Sequence, residues 1–446
     1  MNQISSESNI ESRVGRKVMT FLVAPIGLYL LIGAIDRTNV GFAALQMNAD
    51  LRLTGAEYGA GAGILFIGYL LAKYPSVLLY EQLGLRRWLC LLCLVWGVCA
   101  TGMAFVQGRN SFYLLRFLIG VSEAGLAAGL FLYLSNWASA KFSASILSIP
   151  IAAIPLAQVV GAPLSGWLME MENPFNMPGW RWMFLIEGLP AIGLAVLAMT
   201  YFPNRPKQAS WLSSEEADWI EANADGAQSE AAKTGDKHAA LKNPITYICA
   251  IIWFCLLAGN YGVIFWLPQI LKSFADLSAT QIGWIVAMPW LGSAIGLVIN
   301  AIHSDKTQER YLHIGIPCLI AAIGFVTAFH IGQGPLALLC LIVGGAFLGS
   351  TVAPFWAIPK KLLKPAELQI GVVAIHMAGG MAGLSISSAI GWLHDMTGSF
   401  GPPIYLIGAT QVLSLSMCLI ARKLDKSHRG SAIELDAPDV AVKSGA

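Results

Sequence analysis

The sequence predicts an all-α membrane protein of twelve transmembrane helices in two six-helix bundles. Of its 446 residues 56% are hydrophobic and only 12% charged, about half the ~25% charge of soluble domains. Apolar runs near the ~20 residues that cross a bilayer recur along the whole length. A polar interruption at 203–243 divides these runs six and six, as expected for two halves joined by a linker. The predicted units are 1–202, 203–243, and 244–446 including a tail.

The first half holds predicted spans at 18–40, 57–80, 88–106, 110–137, 143–168 and 180–202. The second holds 244–271, 279–302, 311–331, 335–358, 368–392 and 402–422. Gly120, Gly125, Pro150, Pro155, Pro289 and Pro354 interrupt several of them, which membrane helices tolerate when neighbours re-satisfy the backbone. Small residues at 59–63 and at Gly379, Gly380 and Gly383 suit close helix approach. The polar start, 1–17, lacks the apolar core and cleavage site of a signal peptide, so the first span is expected to stay in the mature protein.

The connections set the expected topology. Arg13, Arg16 and Lys17, then Arg86 and Arg87, Lys141, Arg205 to Lys242, Lys306 and Arg310, and Lys360 to Lys364 fall on one side. Arg422, Lys423, Lys426, Arg429 and Lys443 join them, whereas the opposite loops carry Arg52, Arg109, Arg181 and Lys272. Positive charge marks the cytoplasmic face, so both termini are expected inside a cytoplasmic (bacterial-type inner) membrane. Within the linker, Ser213 and Glu216 have capping-box spacing. The turns LGLRRW (83–88) and HSDKTQER (303–310) occupy equivalent places in the two halves. Such charged turns can latch helix ends together.

Other classes lose support. No basic arm points to nucleic acid. The eight cysteines lie singly in apolar segments, apart from Cys90 and Cys93, and read as packing residues rather than a redox or metal site. No nucleophile stands with a base and no metal-ligand cluster appears, so neither an enzyme nor a bound cofactor is expected.

Ionisable residues inside the spans then carry the functional reading, because charge in hydrocarbon persists only where it faces protein or a wet cavity. Span one has Asp36 and Arg37, whose side chains point about 100° apart on a helix. Span two has Tyr69 and Lys73 on one face. Span four has Arg116 and Glu123, two turns apart and facing the same way. In the second half His376 is the mid-span titratable residue, with Asn260, Tyr261, Trp266 and Trp356 nearby on other spans. Each also has a plainer reading. Arg116 and Glu123 would serve a structural ion pair, Asp36 and Arg37 a solvated helix end, Lys73 a snorkelling cation, and His376 a packing residue. Read together, they line a cavity rich in positive charge, where Arg offers a planar fork for a carboxylate. A carboxyl in low dielectric favours its protonated form. Glu123 is the first candidate for a coupling proton and Asp36 the second.

The segments IDRTNVGFA (35–43), FIGYLLAKYPSVLLYEQLGLRRW (66–88), RFLIGVSEAG (116–125), GWRWMFLIEGLPA (179–191), the linker's WLSSEE and FWAIP (355–359) resemble the anion:cation symporter family of the major facilitator superfamily. The resemblance runs from Met19 to about Arg422. It implies the major facilitator fold, alternating access, and proton-coupled uptake of organic carboxylates. It places Asp36, Arg37, Arg116 and Glu123 on the family's functional charges, Tyr69 on its cavity tyrosine, and Trp356 and His376 in the pocket. The chain departs from the family pattern at Lys73, at His376, at Val77 and in the loop SAKFSAS. The two extra potential cations suggest a more acidic substrate, such as a dicarboxylate.

The expected function is symport of a proton with a sugar acid, hydroxy-dicarboxylate or aromatic acid. Expected partners are that substrate, protons and the lipid bilayer, with the chain acting as a monomer driven by the proton gradient alone. An organic-anion exporter or antiporter on the same fold is the alternative. A membrane sensor would need a folded signalling domain, and the linker and tail are too short for one.

Overall fold

The structure, a computed structural model, describes residues 2–137, 143–223 and 237–435. Lys141, Lys233, Lys443 and the first four residues of the SAKFSAS loop lie outside them. Among the described residues every regular element is helical. Ten helices are long and apolar enough to cross a membrane. One of these, Gly55–Phe105, is two spans, because Gly84 at φ +69° breaks it in a conformation that glycine adopts without strain. The 28-residue helix Ser143–Glu170 completes twelve.

Local chemistry starts these helices where the chain needs them. Span two opens with a capping box of Thr54 and Glu57, and span eight, its counterpart in the second half, with one of Ser278 and Gln281. Asn243 caps span seven ahead of Pro244. The linker's capping box also forms. The Glu216 amide donates to Ser213 Oγ at 3.2 Å and the Ser213 amide to Glu216 Oε2 at 2.9 Å. Lys17 donates to the same oxygen at 2.6 Å, tying the helix Asn2–Val18 to the linker helix Ser214–Asn223. Burial pushes the Glu216 carboxyl up, but these hydrogen bonds and the Lys17 and Arg13 charges outweigh it and hold it below the usual carboxylate range.

Spans four and ten, in each of which the sequence marked an interruption, are broken at equivalent depths. Span four is Arg109–Glu123 followed by Leu126–Ser135, and span ten is Pro335–Gly349 followed by Val352–Leu362. At the first break a Cβ on Gly125 would overlap the Ser76 hydroxyl. Trp88 Nε1 is anchored on Ser76 there at 3.0 Å. At the second, span eight re-satisfies the loosened backbone. Ser293 Oγ donates to the Ala346 carbonyl at 3.0 Å and Asn300 Nδ2 to that of Ser350 at 2.9 Å.

The matched turns behave differently from each other. Arg86 donates to the Thr200 carbonyl at 3.4 Å. Asp305 pairs with Arg310 at 2.6 Å inside its own turn, which accounts for an acid among the basic residues. Of the four cations at the opposite end, Arg109 pairs with Glu57 at 2.8 Å and Lys272 with Asp276 at 3.0 Å.

The halves meet at the end away from the basic loops. Asp395, ending span eleven, accepts from the Gly55 and Ala56 amides at 2.8 and 2.7 Å, capping span two. Glu170, ending span five, accepts from the Ala279 amide and from Thr280 Oγ at 2.6 Å, capping span eight. A carboxylate at a helix N-terminus complements both its open amides and its dipole. Glycine permits the approach: a Cβ on Gly59 would overlap the Ser387 carbonyl, and one on Gly166 that of Ala279. Hydrogen bonds between the two bundles cluster at this end. The bundles are closed against each other there.

Candidate functional site

The site is built on the helix period of span one. Asp36 and Arg37 are neighbours in the chain, and the rotation between them sends one into the first bundle and the other between the bundles. Arg37 reaches span four and forms a two-toothed ion pair with Glu123. Its Nε lies 3.1 Å from Glu123 Oε2, and Nη2 makes the shorter contact. The Glu123 side chain is buried, whereas that of Arg37 keeps 31% of its surface exposed. Tyr69 of span two and Tyr261 of span seven face Arg37 within electrostatic reach. Glu123 is the last helical residue before the break in span four, so a small rotation at Ala124–Gly125 would carry its carboxylate.

Arg116 does not join that pair. It is only 1% exposed, donates to the Ala62 carbonyl at 3.3 Å and lies 5.9 Å from the Phe265 ring centroid. Its Nε has no hydrogen-bond partner. Around it the halves interlock through aromatic rings. Tyr58 donates to the Phe265 carbonyl at 2.8 Å, and Phe66 packs on Tyr261 at 4.5 Å between centroids. Trp266 belongs to this seal, 5.0 Å from Tyr58, and Asn260 turns back to the Leu256 carbonyl at 2.8 Å.

On the basic side of Arg37 the remaining predicted residues come together. Lys73 Nζ stands 5.5 Å from the Tyr69 ring centroid. His376, exposed although mid-span, stacks on the half-buried Trp356 at 4.5 Å, with Trp253 edge-on at 6.1 Å. Lys73 acts electrostatically on His376 from the other half. Arg37, Tyr69, Lys73, Trp356 and His376 thus mark a path between the bundles, polar on the first side and aromatic on the second. Arg116 and Asp36 lie off it.

Asp36 instead faces a polar cluster within the first bundle that the sequence reading missed. Asn39 Nδ2 lies 3.5 Å from its Oδ1. Glu187 of span six accepts from Ser165 Oγ at 2.8 Å, and Gln158 Nε2 donates to the Ala34 carbonyl at 3.3 Å. Glu187 had a signal in the sequence, a carboxylate eight residues into the apolar span Gly179–Tyr201. It drew attention only as part of GWRWMFLIEGLPA.

Comparison with known proteins agrees with this architecture. The profile of the Major Facilitator Superfamily matches residues 26–388. Two Agrobacterium vitis proteins, each named "Putative tartrate transporter", are 38% identical to the chain. One alignment covers 95% of the chain and 98% of the relative, the other 93% and 92%. A "Quinolone resistance transporter" of Acinetobacter baumannii is 31% identical over 96% of the chain and its own full length. Among solved structures, a bacterial homologue of the human lysosomal transporter Spinster, inward-facing and occupied, superposes with TM-score 0.71 at 15% identity. That match covers 91% of this chain and 95% of the other. The partially occluded inward-open xylose transporter XylE of Escherichia coli gives 0.68 at 17% identity, covering 89% and 97%. The two solved structures speak to the fold alone. The chain is a multi-pass membrane transporter, not an enzyme, and belongs to the Major Facilitator Superfamily.

Proposed function

We propose that this transporter imports a small organic carboxylate together with protons across the cytoplasmic membrane. In this reading both termini are cytoplasmic, the chain works as a monomer, and the proton gradient replaces any cofactor. The observation that carries it is the Arg37–Glu123 pair beside the open path. A substrate carboxylate and Glu123 compete for one guanidinium fork. When Glu123 takes a proton, Arg37 is freed to grip the substrate, and proton and anion offset each other's charge in low dielectric. When the proton leaves, Glu123 reclaims Arg37 and the substrate departs. Lys73 and His376 offer a second polar corner about one helical turn further along. With the two tartrate-named relatives, that favours a hydroxy-dicarboxylate within the carboxylate class. Trp356 would pack against the carbon skeleton. Arg116 would act through the field it adds beside Glu123 in the sealed layer, joining the path when the far end opens.

The test is uptake into proteoliposomes of labelled hydroxy-dicarboxylates, aldonates and aromatic acids, with and without an inward proton gradient. Gradient-driven accumulation of one class is expected. In Glu123→Gln that accumulation is lost, while counterflow exchange, which needs no net proton movement, continues. Accumulation that ignores the gradient would overturn the coupling. Transport favoured outward, the alternative to which the quinolone-resistance relative lends support, would reverse the assigned direction.

A further inference from the structure

We infer that Glu187 is a proton-holding residue of the transport cycle, sharing one proton with Asp36 across Asn39 inside the first bundle. The inference rests on the proton-coupled reading above but concerns a residue outside the substrate path. Asp36, Asn39 and Glu187 are 4%, 2% and 4% exposed. Among the described residues, one oxygen of each, Asp36 Oδ2, Asn39 Oδ1 and Glu187 Oε2, has no hydrogen-bond donor. Trp96 Nε1, 1% exposed and aimed at Asp36, is a buried donor that also falls short of a hydrogen bond.

Three buried acceptors without donors are costly, at about 1–3 kcal/mol each and more for a charged group. The shortage is of donors, and a proton on either carboxyl supplies one. The surrounding charges support this placement. Glu187 acts on Asp36 more strongly than any other charged group, followed by Glu123, with Arg116 the opposing cation. Glu187 itself faces Ser165 and Asn39, both neutral. Two carboxylates facing each other in low dielectric do not both ionise readily, so a site of this kind holds one proton between them. Glu123 also has one oxygen, Oε1, without a partner, but the Arg37 charge on its Oε2 offsets its own, which neither Asp36 nor Glu187 is shown to have. Asn39 faces both acids and lies two residues beyond Arg37 on the same helix. The shared proton is therefore held on the opposite face of the helix that carries Arg37, within ~3 Å of rise of it.

The experiment is infrared pH titration of the purified protein in lipid, reading the carbonyl stretch of a buried protonated carboxylic acid. Transport by the same variants is measured alongside. Wild type should show such a band, lost in Glu187→Gln and in Asp36→Asn but retained in Glu123→Gln. Gradient-driven accumulation should fall in Glu187→Gln, and counterflow should continue. Both substitutions are isosteric amides that bring their own donor, and Glu187→Asp, which restores the acid, should return part of the band if either amide folds poorly. A band unchanged in Glu187→Gln overturns the assignment. A band lost with wild-type accumulation makes the proton structural and overturns its part in transport. If wild type itself ignores the gradient while the band is present, the symport reading fails and the shared proton stands apart from it.

Discussion

At the scale of single residues, the contact of two Arg37 nitrogens with one Glu123 oxygen is the feature on which substrate binding should turn. Replacing Arg37 by Lys keeps the charge and loses the planar fork. A charge-assisted hydrogen bond is worth about 1.5–3 kcal/mol, so Arg37→Lys should weaken substrate binding roughly tenfold to a hundredfold. Half-saturation in counterflow exchange reads this directly. Glu216 gives a prediction in pH. Its carboxyl is held below the usual range by Lys17 and the Ser213 amide, so its contribution is complete above the ordinary glutamate value of ~4.3. The contribution is lost only as pH falls through the lowered value. Spin labels at the exposed Arg16 and Glu215 should report a constant separation from neutral to mildly acid pH. The separation should widen below it, and Glu216→Gln should widen it at pH 7. Of these residues the sequence had named Arg37 and Glu123, because charge inside an apolar span is conspicuous. It did not pair them with each other, since spacing within a helix says nothing about which neighbouring helix a side chain meets.

At the scale of elements, the far-end closure is held by two helix caps in corresponding places, Asp395 on span two and Glu170 on span eight. Each is a carboxylate on helix amides, worth about 0.3–1 kcal/mol through the dipole. Asp395→Asn or Glu170→Gln should shift the balance toward an arrangement open at that end by up to about fivefold each. Distances between labels at the exposed Arg52 and Gln333, measured with and without the substitution, test this. Gly59→Val should act more strongly, because its side chain would occupy the position of the Ser387 carbonyl and the helices could not close. The sequence anticipated small residues at 59–63 as contact points, whereas the matched capping boxes at Thr54 and Ser278 emerged only with the structure. The breaks in spans four and ten were signalled by Gly125 and Pro354, but what supports each break was not. Each depends on a neighbour, Ser76 and Trp88 in one case and Ser293 and Asn300 in the other, that becomes adjacent only in the folded bundle.

At the scale of the whole molecule, alternating access needs one sealed end and one open end, and the sealed end is the one away from the basic loops. Aromatic rings and caps close that side, while the partly exposed Lys73 and Trp356 and the exposed His376 lie toward the basic side. The amino-acid sequence by itself determined the twelve spans, their division into two bundles, the asymmetry of basic loops, and which spans carry Asp36, Arg37, Arg116, Glu123 and His376. Those follow from composition and from the cost of charge in hydrocarbon, which are properties of each segment alone. Only the tertiary structure decided that Glu123 answers Arg37, that Arg116 is sealed off, that Asp36 turns toward Glu187, and which end is closed. A helix's sequence sets the direction of each side chain about its own axis, whereas the group that side chain meets is set by how twelve such helices pack.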